Sequence, residues 1–123
     1  MNKPTLLVID DDIQMAKSTA EITNLIGFES SFENSCEPFL KTIDNQYYDV
    51  IISDLCMPEI DGIELINELS AKEIKSSLVL MSGFDEKILE TAEHFAKVKG
   101  LNIIGTLSKP FKFNEINLLL EKR

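Results

Sequence analysis

Five times along the chain a short run of apolar or alternating residues stops abruptly, and a stretch with apolar residues at helical spacing follows. The first run is Thr5-Leu6-Leu7-Val8-Ile9, which stops at Asp10-Asp11-Asp12. Val50, Ile51 and Ile52 are a β-branched run that suits a strand buried on both faces. It ends in Ser53-Asp54, and Met57-Pro58 prevents its continuation because proline has no N–H for a ladder. Ser77 to Met81 ends at Ser82-Gly83, and Asn102 to Leu107 ends at Ser108-Lys109-Pro110. Phe28 to Glu33 differs: it alternates with one polar face, the pattern of an edge strand.

The intervening stretches read as helices. Ile13 to Ile26 places Ile13, Ala16 and Ala20 on one face, with Ile22, Leu25 and Ile26 near its end, and stops at Gly27. Asp12 stands at its N-cap or in its first turn. Ser35 is placed to cap a short helix through Phe39, Leu40 and Ile43. Asp61-Gly62 is a turn before a helix over 63–70 carrying Ile63, Ile66 and Leu69. Asp85 is placed to cap a long fourth helix with Ile88, Leu89, Ala92, Phe95 and Ala96 inward, and Phe113, Ile116, Leu119 and Leu120 mark a fifth.

Five strand-then-helix units in 123 residues imply one domain over 1–123 and a doubly wound α/β sheet. The flavodoxin-like (βα)5 order 2-1-3-4-5 puts the polar-alternating second strand at an edge. It also makes strands one and three neighbours at the switch point where ligands bind.

That order brings the strand ends into one crevice: Asp10 and Asp11 from the first, Asp54 from the third, Ser82 from the fourth, Lys109 from the fifth. Carboxylates about 5 Å apart repel by roughly 3 kcal/mol per pair at an effective dielectric near 20. Such a cluster demands cations. Lys109 is one. A hard divalent ion such as Mg²⁺, which takes oxygen ligands, is the other. A carboxylate can act as nucleophile toward phosphorus and form an acyl phosphate. Lys109 and the Ser82 hydroxyl are placed to hold the phosphoryl oxygens.

The formal net charge is −9, and no Lys/Arg cluster suits a nucleic-acid surface. The two cysteines, Cys36 and Cys56, have no metal-ligand spacing and read as free thiols of a reducing cytoplasm. No apolar run approaches the roughly 20 residues of a membrane span, and Met1-Asn2-Lys3-Pro4 carries no signal-peptide pattern. A cytoplasmic location without membrane or nucleic-acid contact is the expectation.

Val8-Ile9-Asp10-Asp11-Asp12, Asp54-Leu55-Cys56-Met57-Pro58 with Asp61-Gly62, Met81-Ser82-Gly83 and Lys109-Pro110-Phe111 together resemble the receiver domain of bacterial two-component response regulators, over essentially the whole chain. The resemblance implies a switch that accepts a phosphoryl group on Asp54 from a sensor histidine kinase, a phosphotransfer protein or a small phosphodonor. Asp11 would ligate Mg²⁺ (or Mn²⁺) directly, Asp10 through water, and the Cys56 backbone carbonyl and Asp54 would complete the set. Ser82 would be the switch hydroxyl, Lys109 the phosphate-binding lysine, and the bond before Pro110 cis. Output would pass through the fourth helix, fifth strand and fifth helix, a face through which such domains often pair as homodimers. An output domain outside this chain could be an enzyme; the receiver itself would only phosphorylate and dephosphorylate itself.

Two positions shape the expected response. The family often carries an aromatic residue three before the lysine; here it is Thr106, which cannot sweep the same volume. Phe84, two after Ser82, is expected to shade the phosphate from water and slow its hydrolysis. The run from Gly100 to Phe111 also resembles receivers joined to cyclic-di-GMP phosphodiesterase domains. The competing readings are a Mg²⁺-dependent aspartyl-phosphate phosphatase, a non-phosphorylated pseudo-receiver and a flavodoxin-like cofactor module. The phosphatases carry their nucleophile after the first strand and an acid two residues later, where this chain has Cys56 after Asp54. The cofactor module needs Ser, Thr or Gly in a first loop that here holds three aspartates.

Overall fold

A computed structural model describes residues 2–83 and 86–123. In chain order its elements are β1 (Thr5–Ile9), α1 (Ile13–Ile26), β2 (Glu29–Glu33), α2 (Cys36–Asn45), β3 (Val50–Asp54), β4 (Cys56–Met57), β5 (Ile60–Asp61), α3 (Gly62–Ala71), β6 (Ser77–Ser82), α4 (Glu86–Val98), β7 (Asn102–Ser108) and α5 (Phe113–Leu120). Five long strands form one sheet in the order β2-β1-β3-β6-β7, every neighbouring pair parallel. Counting long strands only, this is the flavodoxin-like order 2-1-3-4-5, with β2 and β7 at the edges.

The sheet divides the apolar side chains by their alternation. Leu7, Ile9, Ile51, Leu78 and Leu80 point to one face and pack with Phe39 of α2, Leu65, Ile66 and Leu69 of α3, and Leu89, Ala92 and Ala96 of α4. Leu6, Val8, Val50, Ile52, Val79 and Met81 point to the other and pack with Ala16 and Ala20 of α1 and Ile116, Leu119 and Leu120 of α5. Period two along a parallel strand covered on both sides explains the unbroken apolar runs.

Helix ends follow local chemistry. The Asp12 carboxylate accepts from the N–H groups of Gln14 and Met15, which makes it the N-cap of α1. At the other end Phe28 N–H donates to Thr23 O and Gly27 N–H to Asn24 O, with Gly27 at φ 126°. Ser35 precedes α2 but makes no side-chain cap bond; Glu59 instead accepts from the Cys36 N–H at 3.2 Å. Asp85, expected to cap α4, lies outside the described residues.

Three local expectations change. The segment after β3 is a small antiparallel hairpin, β4 with β5, turning at Pro58-Glu59. Asp61 belongs to it and also caps α3, accepting from Glu64 N–H at 2.9 Å. Burial differs as well: Ile13 and Leu25 of α1, Ile63 of α3, Ile88 of α4 and Phe113 of α5 are exposed, and α1 buries Thr19 and Thr23 instead. Periodicity alone assigns an apolar residue to a face without knowing how much of it a neighbour covers. Finally, β7 carries a bulge, since Leu78 pairs with Ile103 but Val79 with Gly105. Just beyond it Gly105 lies against the Leu119 side chain of α5, so close that a Cβ there would collide with it.

Candidate functional site

Each functional side chain stands where a strand stops. Ladder hydrogen bonds run one residue past the strands and fix these ends: Asp10 N–H donates to Glu33 O, Leu55 N–H to Met81 O at 2.9 Å, and Lys109 N–H to Ser82 O at 2.9 Å. The loop after Asp54 then bends back, and Cys56 N–H donates to Asp54 Oδ1 at 3.2 Å. Asp12 N–H donates in the same way to Asp10 Oδ1 at 3.0 Å. Two of the carboxylates are thus oriented by backbone amides on rigid elements.

Asp10, Asp11 and Asp54 each bring a carboxylate oxygen to within 4.8 Å of the others. Asp10 and Asp54 are buried and Asp11 is exposed. Lys109 Nζ reaches in from beyond β7, 2.7 Å from Asp10 Oδ2 and 3.3 Å from Asp54 Oδ2. The Lys109–Pro110 peptide bond is cis. Ser82, at the end of β6, is buried, and its hydroxyl lies 3.6 Å from the Cys56 thiol.

The electrostatics follow from this burial. Loss of water pushes the Asp54 carboxyl up to about 6. The Lys109 charge pulls it back, the Asp10 charge pushes it further, and hydrogen bonds from Cys56 N–H and Lys109 again favour the ionised form. For Lys109, burial alone acts downward. Its hydrogen bond to Asp10 and the charges of Asp54 and Asp10 outweigh that and raise it above the usual lysine value. One lysine, Lys109, cannot by itself neutralise three carboxylates, and the exposed Asp11 opens the cluster to solvent. An all-oxygen donor set with one solvent-facing member fits a hard divalent cation that keeps part of its water shell. Asp10, Asp11 and Asp54 are the groups that would hold it.

The remaining sequence candidates sit further out or beyond description. Thr106 is half-buried on β7 and lines a notch of about 160 Å³ with Glu86, Leu89, Glu90 and Ser108. Phe84 lies outside the described residues. The Cys56 side chain, as distinct from its backbone, was not among the sequence candidates. Its contact with Ser82 spans 26 residues of sequence, and no local pattern signals it.

Comparison with known proteins agrees with this geometry. The family description "Response regulator receiver domain" matches residues 6–121. The chain is 27% identical to the regulatory protein AtoC of Escherichia coli K12 over 95% of its length, and 26% identical to the transcriptional regulatory protein FixJ of Bradyrhizobium diazoefficiens over 97%. It spans only 24% and 56% of those two relatives. Among solved structures, a response regulator from Colwellia psychrerythraea is 31% identical, with a TM-score of 0.81 over 96% of this chain and 94% of that one. The chain therefore belongs to the response regulator receiver domain family, signalling domains that are phosphorylated on an aspartate.

Proposed function

We propose that Asp54 is the phospho-acceptor of a two-component switch formed by residues 1–123. The observation that carries this reading is a buried carboxylate at a strand end, 3.3 Å from a lysine ammonium and beside two further carboxylates. An oxygen of ionised Asp54 attacks phosphorus and an O–P bond forms. The bond from phosphorus to the donor, an imidazole nitrogen of a phosphohistidine or the acyl oxygen of acetyl phosphate, breaks. Its electron pair leaves with the donor. Lys109 Nζ then turns from the carboxylates to a phosphoryl oxygen, and the Ser82 hydroxyl donates to another. A bound Mg²⁺ (or Mn²⁺) would supply the remaining neutralisation of phosphoryl charge. Cys56 N–H keeps Asp54 aimed throughout.

The donor is a sensor histidine kinase or phosphotransfer protein of the cytoplasm, in keeping with the family. Output leaves through α4, β7 and α5, to a further domain or a second copy. Thr106 makes that step depend on the notch beside α4 and not on an aromatic side chain. AtoC and FixJ are named as regulators, FixJ of transcription, and neither name supports the resemblance to cyclic-di-GMP phosphodiesterase regulators. Among the described residues no helix is long and apolar enough to cross a membrane.

Intact mass after incubation with acetyl phosphate and Mg²⁺ tests the assignment. Wild type is expected to gain one phosphoryl group (about 80 Da), lost in base as an acyl phosphate is, and Asp54→Asn to gain none. An equal adduct on both proteins, or none on either, overturns it.

A further inference from the structure

Cys56 touches the site twice. Its N–H holds Asp54 Oδ1, and its Sγ stands 3.6 Å from Ser82 Oγ, where either group can donate. Ser82 is 2% exposed, so its hydroxyl lies inside the protein wall. One residue thus joins the nucleophile's loop to the hydroxyl at the end of β6, and the hydroxyl touches the thiol.

We propose that Cys56 is a positioning residue for Ser82: the thiol retains the hydroxyl in the unphosphorylated protein and yields it when a phosphoryl group arrives on Asp54. The proposal rests on the reading of Asp54 as acceptor and Ser82 as its phosphate-binding hydroxyl. A thiol suits this task because sulfur is a weak donor and a weak acceptor. A phosphoryl oxygen is charged and accepts far more strongly, so the exchange runs toward the phosphorylated state. A hydroxyl at position 56 would compete better for Ser82, and a methyl group would not compete at all. The hold must be broken before Ser82 reaches the transferring group, so its strength enters the rate of phosphorylation.

The test compares acetyl phosphate time courses in Mg²⁺, read by intact mass, for wild type, Cys56→Ala, Cys56→Ser, Ser82→Ala and the two double variants. Urea unfolding confirms that each is folded. Cys56→Ala is expected to phosphorylate about two- to fivefold faster than wild type, the effect of removing one weak hydrogen bond. Cys56→Ser is expected to return the rate to the wild-type level or below it. In the Ser82→Ala background both substitutions at position 56 are expected to change nothing. If Cys56→Ala does not fold, the comparison of Cys56→Ser with wild type in the two Ser82 backgrounds carries the test. The same change in both backgrounds, or equal shifts for alanine and serine, would mean that Cys56 only fills space, and overturns the proposal. Absence of any adduct on wild type is a different failure, because it removes the acceptor reading itself.

Discussion

Lys109 Nζ lies 2.7 Å from Asp10 Oδ2, although the two residues are 99 positions apart in sequence. The lysine makes its shorter contact with Asp10, and Asp54, the proposed acceptor, stands at 3.3 Å. The contact neutralises a fully buried Asp10 and leaves the same ammonium within reach of Asp54.

Removing that cation should be costly. Lys109→Met removes the ammonium paired with buried Asp10 and Asp54, and breaking a buried pair in this way costs on the order of 3 kcal/mol. Urea unfolding in EDTA at pH 7 should show the loss, and added Mg²⁺ should recover part of it. Equal stability of Lys109→Met and wild type without metal would show that the lysine is not structural.

The raised Asp54 carboxyl gives a pH dependence of definite sign. Its folded value, about 6, lies above the ordinary 3.8, so the folded state favours the protonated form. Its contribution is complete below about pH 4 and is lost as the pH rises through about 6. Asp54→Asn, which never ionises, should therefore match wild type near pH 4 in EDTA. At pH 7 it should be more stable by on the order of 2 kcal/mol. A stability gap that does not change between these two pH values would contradict the burial argument.

Cation binding should appear as stabilisation. Mg²⁺ or Mn²⁺ that binds only the folded protein raises the melting temperature with concentration, by about 1 kcal/mol at several times the dissociation constant. Asp11 brings a carboxylate oxygen within 4.8 Å of Asp10 and Asp54, so without metal Asp11→Asn relieves like-charge repulsion and should raise the stability above that of wild type. It should also abolish most of the Mg²⁺-dependent rise. A full rise in Asp11→Asn would remove Asp11 from the ligand set.

Gly105 tests the packing of α5 on β7. A Cβ at this position would collide with Leu119 Cδ1, so Gly105→Ala must displace a buried leucine. Overpacking of this kind costs about 1–3 kcal/mol. Gly105→Ala combined with Leu119→Ala should lose less than the two single changes summed, since the second removes the clash. Strict additivity would place the cost in the backbone instead.

Much of this protein was legible along the chain because the signals are local. The apolar runs mark strands, and their alternation decides which face each residue serves, as Leu7 and Leu6 show on opposite sides. Asp12 and Gly27 are helix boundaries whose chemistry is complete within a few residues. Even the site was legible to a degree, because in a parallel doubly wound sheet every strand delivers its last residue to the same edge. Asp10, Asp54, Ser82 and Lys109 are all last residues or their immediate neighbours.

What the order of residues determined, then, was the number of strand and helix units, the parallel order and the list of side chains at one edge. Only the tertiary structure decided which of those side chains touch. The preference of Lys109 for Asp10, the rise of Asp54 to about 6 and the thiol beside Ser82 all come from distances set by the register of separate strands. So do the exposure of Ile13, Ile88 and Phe113 and the contact of Gly105 with Leu119. Backbone pattern depends on neighbours along the chain. Electrostatic coupling and close packing fall off over a few ångströms in space, and that proximity exists only once the sheet has assembled.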